Sequence, residues 1–401
     1  MYEELTILAL FIFLYSLIAG RIERSALSGP IIFVATGIMV GPMALGWLDG
    51  REIRDEMRLL ADLTLALILF VDAANANLAV LNKQYKLPFR MLAFGLPGAI
   101  VLGFGAALLI FDALTIYEAA ILAVMLAATD AALGKAVITD PSVPPSIREG
   151  LNVESGLNDG LCVPILFVFL ALALDPDSKG FGTGAPLLLL LQEVGVGLVV
   201  GIGLAATGAW LLKYWSHKGS GTEVWMQVTV PGLAIGCFAL TQELHGSGYV
   251  AAFAGGIVFG LLTGKSTHKY VFAAEGVGEM LAAITWLFFG VAIVTRLVSH
   301  ITWEVAVYSL LSLTIVRMLP IYVALVGSGE PAHNRLFLGW FGPRGLASIV
   351  FAIIVFDSGL PGAELMVLVV VSTVFFSLIA HGVSAKPLVK WLVEKGAAGS
   401  D

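Results

Sequence analysis

The strongest constraint on this chain is the repetition of long apolar runs joined by short polar connections. About thirteen runs, each near the roughly 20 residues a helix needs to cross a bilayer, begin near Leu5, Pro30, Leu59, Pro88, Tyr117, Leu151, Gly184, Met226, Gly248, Ala273, Thr302, Leu336 and Gly362. Of the 401 residues, 58% are hydrophobic and only 13% charged, a balance outside that of soluble globular domains. The predicted class is therefore an all-α polytopic membrane protein with almost nothing left for a soluble domain. The first run follows Glu3 and Glu4 without a basic leader or a small-residue cleavage site, so it is expected to be a mature helix rather than a signal peptide. Cys162 and Cys237 both fall in apolar runs and read as small hydrophobes, suggesting neither a disulfide nor a metal.

Charge sets the expected orientation. With the N-terminus outside, the inner connections collect fifteen of the 22 Lys and Arg residues, from Arg21 and Arg24 through Lys83 and Arg335 to Lys395. The outer connections hold Arg51, Arg54, Arg58, Lys179 and Arg296. An excess of basic residues marks the cytoplasmic side, so thirteen helices, N-terminus out and C-terminus in, are expected in a cell inner (plasma) membrane. The net charge of −7 is spread over short loops, and no basic stripe suits nucleic acid.

Two of the runs are interrupted. The fifth contains Thr129-Asp130-Ala131-Ala132-Leu133-Gly134, and the twelfth Phe341-Gly342-Pro343-Arg344-Gly345-Leu346-Ala347-Ser348. Backbone groups freed by such breaks are tolerated at membrane depth only where they line a cavity or are buried in protein. The fifth run is the middle of runs four to six and the twelfth the middle of runs eleven to thirteen. Corresponding runs of the two triplets are seven apart, an odd number, so their orientations are opposite, the pattern of an inverted-repeat transporter with two interrupted crossing helices. One helix after the first break comes Asn152-Val153-Glu154-Ser155-Gly156-Leu157-Asn158-Asp159-Gly160. Carboxylates in a membrane are costly and rarely idle. Asp130, Glu154 and Asp159, with an amide and two hydroxyls, make the chemistry of a cation and proton site.

On these residues the chain resembles the sodium/proton exchanger branch of the monovalent cation/proton antiporters, prokaryotic type. The resemblance rests on Thr129-Asp130, the block Asn152 to Gly160 and Gly342-Pro343-Arg344-Gly345, with His245-Gly246-Ser247-Gly248 a weaker echo. Where many relatives carry proline after the Thr-Asp pair this chain has Ala131, so a softer break is expected in the fifth helix. The resemblance implies a core domain (88–183 and 273–385) moving in an elevator-like manner against an interface domain (1–87 and 184–272), a homodimer formed through the latter, and a short cytoplasmic tail (386–401). No regulatory tail domain and no cofactor are expected beyond the transported Na+, or a similar alkali cation, and H+.

Roles follow for the individual residues. Asp159 lies in the middle of the sixth run with no basic residue within a helical turn. Burial penalises its charged form, so it is expected to hold either a proton or a cation; the plain alternative is a permanently protonated hydrogen-bond donor. Asp130 and the Thr129 hydroxyl supply further hard oxygen ligands, although Asp130 also suits capping of the broken helix. Ser155 shares a face with Asp159 at i, i+4. Asn158 points about a quarter-turn away and is expected to bridge to the fifth helix, in line with the resemblance. Glu154 should face another neighbour, roughly 140° around the helix, and needs a cation; Arg317 and Arg344 are the two within apolar runs. The resemblance favours Arg317, which leaves Arg344 to bind orphan carbonyls at the twelfth-helix break. Asp72, near the end of the third run, suits a structural or funnel-lining role better than ion binding.

Other function classes fit less well. An intramembrane serine protease drawn from Ser247 with His245 or His381 lacks its motif, and both histidines are expected at helix ends. Neither aspartyl-protease string nor a zinc-binding His-Glu-x-x-His occurs. A cation channel is the remaining alternative, since the same acids suit a pore; against it stands one titratable site with paired breaks, where channels assemble repeated filter rings.

Overall fold

The structure, a computed structural model, describes residues 2–22, 28–42, 44–48, 54–76, 86–174, 185–218 and 222–398. The run start at Gly184 and Arg24, Arg51, Lys83 and Lys179 of the charge pattern lie outside the described residues. Among those described, every regular element is helical. In chain order they are α1 (Tyr2–Ile22), α2 (Gly29–Val40), α3 (Arg54–Asn75), α4 (Lys86–Ile110), α5 (Ile116–Met125), α6 (Ala131–Ile138), α7 (Pro145–Leu174) and α8 (Ala185–His217). They continue with α9 (Glu223–Glu243), α10 (Gly248–Thr263), α11 (Thr267–His300), α12 (Trp303–Leu313), α13 (Ile315–Ala324), α14 (Ala332–Trp340), α15 (Leu346–Asp357) and α16 (Ala363–Ala398).

Eight stretches among the described residues are long and apolar enough to cross a membrane, and α2, α5, α10 and α15 are shorter apolar helices. The protein is a multi-pass membrane protein of the expected all-α class. Local chemistry sets many boundaries. Thr115 caps α5 in a reciprocal capping box, its Oγ1 accepting the Glu118 N–H while Glu118 Oε2 accepts the Thr115 N–H at 2.9 Å. The Ser247 and Thr302 side chains cap α10 and α12 in the same sense, satisfying donors that a helix start leaves open. Within α4, Met91–Gly95 form a π-helical turn, and Gly95 and Gly98 lie against Ile321 and Pro320 of α13.

The chain forms two compact units. The first contains Met1–Leu59, Gln84–Ser155 and Ala282–Asp401, and the second Leu60–Lys83 and Gly156–Leu281. In the first unit α2 meets α11 backbone to backbone, because a side chain at Gly37 would fall on the Leu287 carbonyl and one at Gly290 on that of Val34. The second unit is built around α10, which packs on α3 and α8 through glycines. Side chains at Gly256 and Gly260 would overlap the carbonyls of Phe70 and Ala74, and one at Gly201 the Ala251 carbonyl. In lipid, small residues that let backbones approach supply the association that apolar surface alone does not.

That packing distinguishes two glycines on one helix. Gly201→Ala is expected to lower the thermal midpoint in detergent, by an overpacking cost of about 1–3 kcal/mol. Gly203→Ala, where a Cβ meets nothing within 4 Å, should be neutral or slightly stabilising because alanine is the better helix former. Equal midpoints for the two variants would contradict the close approach.

Candidate functional site

The centre of the first unit is a pair of broken helices. α5 stops at Met125 and α6 starts at Ala131; α14 stops at Trp340 and α15 starts at Leu346. Each break exposes carbonyls and amides that a bilayer cannot satisfy, and the two breaks satisfy one another. Arg344, itself 0% exposed, donates from Nη1 to the carbonyls of Ala127 (3.0 Å) and Ala128 (3.1 Å). Ser348 Oγ donates to the Met125 carbonyl at 2.7 Å. In the other direction, the Asp130 N–H donates to the Pro343 carbonyl at 2.8 Å.

Asp130 joins both half-helix N-termini. Its Oδ1 accepts the Leu133 N–H of α6 at 3.3 Å and its Oδ2 the Leu346 N–H of α15 at 2.9 Å. The positive ends of two helix dipoles thus meet on one carboxylate. Gly345 makes this possible, since any side chain there would occupy the place of the Asp130 carboxylate. Ala131 does not keep the helix continuous: residues 126–130 are non-helical, so the softer break expected in the absence of proline is not what the structure has. The guanidinium of Arg344 and the carbonyl of Pro343 hold this segment open from across the crossing.

Glu154 and Arg317 meet in the same unit. Arg317 donates from Nη1 to Glu154 Oε1 at 2.8 Å and from Nη2 to Oε2 at 3.0 Å, with both side chains 1% exposed. This is the bidentate fork that makes arginine the stronger partner for a carboxylate. Arg317 lies one turn past Thr314, the joint between α12 and α13, and the α-carbon of Gly342 packs directly on its guanidinium. The pair is therefore seated against the second break, a contact that spacing in the sequence did not reveal.

Ser155 Oγ donates to the Thr129 carbonyl at 2.9 Å. Beside this bond is a small cavity whose polar lining is Thr129, Asp130 and Ser155 and whose apolar lining includes Ile138, Leu151 and Phe341. Asp159 lies on α7 one helical turn beyond Ser155, 8% exposed, in the second unit. Asn158 is 0% exposed, and its Oδ1 accepts a weak bond from Cys162 Sγ at 3.3 Å. Asp72 on α3 lies where a Cβ at Gly156 would touch it at 3.4 Å. His381 departs from expectation. It is 1% exposed in the interior of α16 and not at a helix end. Ser247 caps α10.

A chain with two mutually stitched helix breaks, buried carboxylates beside them and a helical, membrane-spanning frame has the form of an ion-coupled transporter. Residues 7–391 match the family described as sodium/hydrogen exchanger, transmembrane, and the chain belongs to that family, within the monovalent cation/proton antiporters. It is 24% identical over 408 residues to the K(+)/H(+) antiporter NhaP of Alkalimonas amylolytica, a match covering 97% of this chain and 67% of that protein. It is 22% identical over 355 residues to the K(+)/H(+) antiporter NhaP2 of Shewanella sp. strain ANA-3, covering 88% of this chain and 61% of that one. The chain thus spans about two thirds of the length of these relatives. Its fold is that of the sodium proton antiporter MjNhaP1 from Methanocaldococcus jannaschii at pH 8, with a TM-score of 0.78, 20% identity, and coverage of 98% and 99% of the two chains. The channel alternative finds no support in these matches.

The Glu154–Arg317 geometry yields a stability test. Removing either partner strands a buried charge, so Glu154→Ala and Arg317→Ala should each cost on the order of 3–5 kcal/mol, read as a lower thermal midpoint. Cation affinity in the surviving folded fraction should change far less. A silent Arg317→Ala would show that the pair does not hold the core.

Proposed function

We propose that this chain is a secondary active antiporter exchanging Na+, or a similar alkali cation, for H+ across a cell membrane. The mutual stitching of the two helix breaks carries this reading, because it holds the backbone open beside the Thr129, Asp130 and Ser155 lining in a member of the exchanger family. Asp159 is the exchanging group. Protonated, it is neutral and needs no counter-ion; deprotonated, it supplies the charge that holds the cation, so one species displaces the other. Ser155 shares the Asp159 face of α7 and Thr129 adds oxygens, while Asn158 ties α7 to its neighbour. Asp130, whose two oxygens cap half-helices, keeps its charge and acts through position. Glu154 and Arg317 form the structural pair, and Arg344 stabilises the crossing.

Alternating access is proposed as an elevator-like movement of residues 88–183 and 273–385 against 1–87 and 184–272, in a homodimer in the plasma (inner) membrane with the N-terminus outside and the C-terminus cytoplasmic. This division is one of function and differs from the packing units, which part within α7 between Ser155 and Gly156. No catalysed bond change is involved, and the relatives are antiporters by name.

Asp159→Asn tests the exchanging group. The amide keeps shape but loses both proton and counter-charge, so proton-coupled cation flux in proteoliposomes should vanish while the protein stays folded; flux at the wild-type rate would sink the mechanism.

Stoichiometry is expected to be one proton per monovalent cation, since Asp159 alone changes charge in the cycle. Moving a charge through the membrane is worth about 2.3 kcal/mol per 100 mV, so an electrogenic cycle responds to voltage. Proteoliposomes clamped at different potentials with potassium and valinomycin should show one common sodium/proton exchange rate. A rate that follows voltage would mean a second proton, with Asp130 as its carrier.

A further inference from the structure

We propose that His381, acting with Ser377, is a positioning residue for the transported cation, setting the backbone of the second helix break from behind. The inference rests on the antiport reading above. Both residues lie on α16, one turn apart, and both are buried. His381 Nε2 lies 2.9 Å from the Trp340 carbonyl at the end of α14. His381 Nδ1 lies 3.1 Å from Ser377 Oγ, and that hydroxyl oxygen accepts the Arg344 N–H at 2.8 Å.

The place of the ring proton sets the direction of these bonds. A carbonyl only accepts, and each ring nitrogen faces one, Nε2 that of Trp340 and Nδ1 that of Ser377 at 3.0 Å. In the proposed tautomer the proton is on Nε2, so the ring donates to Trp340 and Nδ1 accepts the Ser377 hydroxyl proton, leaving the Ser377 oxygen lone pairs for Arg344. In that tautomer one continuous chain of hydrogen bonds grips the break at the Trp340 carbonyl and again at Arg344. The ring also lies 5.1 Å from Trp340 and 6.3 Å, edge-on, from Phe341. Trp340 is fixed in turn by its Nε1–H to Ser384 Oγ at 2.9 Å.

What lies between the two grips is the site. Phe341 and Pro343 line the cavity with Thr129, Asp130 and Ser155. The Pro343 carbonyl receives the Asp130 N–H, Gly342 backs the Arg317 guanidinium, and Arg344 reaches the first break. Among the described residues the His381 ring bonds to Ser377 and Trp340, and through them it sets the segment against which the proposed cation ligands are placed. A loosened clasp lets that segment shift, and a misplacement of about 1 Å is enough to weaken a preorganised site.

The experiment compares wild type, His381→Ala, His381→Gln and Ser377→Ala in proteoliposomes loaded with sodium or potassium in turn, reading KM and maximal rate. The same proteins in detergent give amide hydrogen exchange over residues 341–345. Both alanine variants should raise the cation KM on the order of tenfold, the effect of a lost buried hydrogen bond, with maximal rate changed by at most about twofold. Both should also speed amide exchange in that segment. Glutamine carries a donor and an acceptor on one side chain and should return KM and amide exchange close to wild type. The proposal is overturned if Ser377→Ala leaves both readings unchanged, or if His381→Gln is as impaired as His381→Ala. If His381→Ala does not fold, Ser377→Ala and His381→Gln decide alone. A wild type that exchanges no cation defeats the antiport reading instead, and amide exchange still reads the clasp.

Discussion

Backbone hydrogen-bonding groups cannot be left open inside a membrane, and the rest of this structure is arranged around that constraint. Two helices stop midway, and each break leaves carbonyls and amides facing the other. Arg344 covers two carbonyls of the first break. Asp130 caps the half-helix that follows each break. Each break is thus the solvent of the other, and neither segment could hold its shape alone.

The charges follow from this crossing. A guanidinium is the side chain best able to cover several carbonyls at once, and a carboxylate is the natural partner for two converging helix N-termini. Bringing a second arginine, Arg317, to the same depth requires Glu154 to meet it with both oxygens. Gly342 lets the backbone lie on that pair and Gly345 lets it lie on Asp130. The glycines on either side of Pro343 and Arg344 serve close approach as much as flexibility. The backbone at the crossing is therefore held from both sides, by Arg344 on the carbonyls of the first break and by Asp130 on the half-helix starts.

The same economy governs the remaining polar side chains of the unit. Ser348, Ser377 and His381 each place one hydrogen bond on the backbone at a break. Nothing in the sequence marks them, because an isolated serine or histidine in an apolar run is most simply a residue satisfied within its own helix. Their meaning comes from which helix end they face.

Much was legible in the chain itself. Runs of apolar residues near the span of a bilayer dictate helices, since lipid leaves the backbone no other partner, and Gly342-Pro343-x-Gly345 removes a donor and side-chain support from the twelfth run. The block from Asn152 to Gly160 places Ser155 and Asp159 one turn apart by helical geometry alone. The first break was legible only as polar residues inside an apolar run, and its full extent was decided differently. Ala127-Ala128-Thr129-Asp130-Ala131-Ala132 contains good helix formers and no proline or glycine, and local propensity would carry the helix through. Only the tertiary structure opens it, because Arg344, Ser348 and the Pro343 carbonyl arrive from more than two hundred residues away and bind the groups that continued helix would have used. The choice of Arg317 over Arg344 for Glu154 is of the same kind. Sequence counts the buried charges and requires that they pair, but which ones meet is set by where the helices cross.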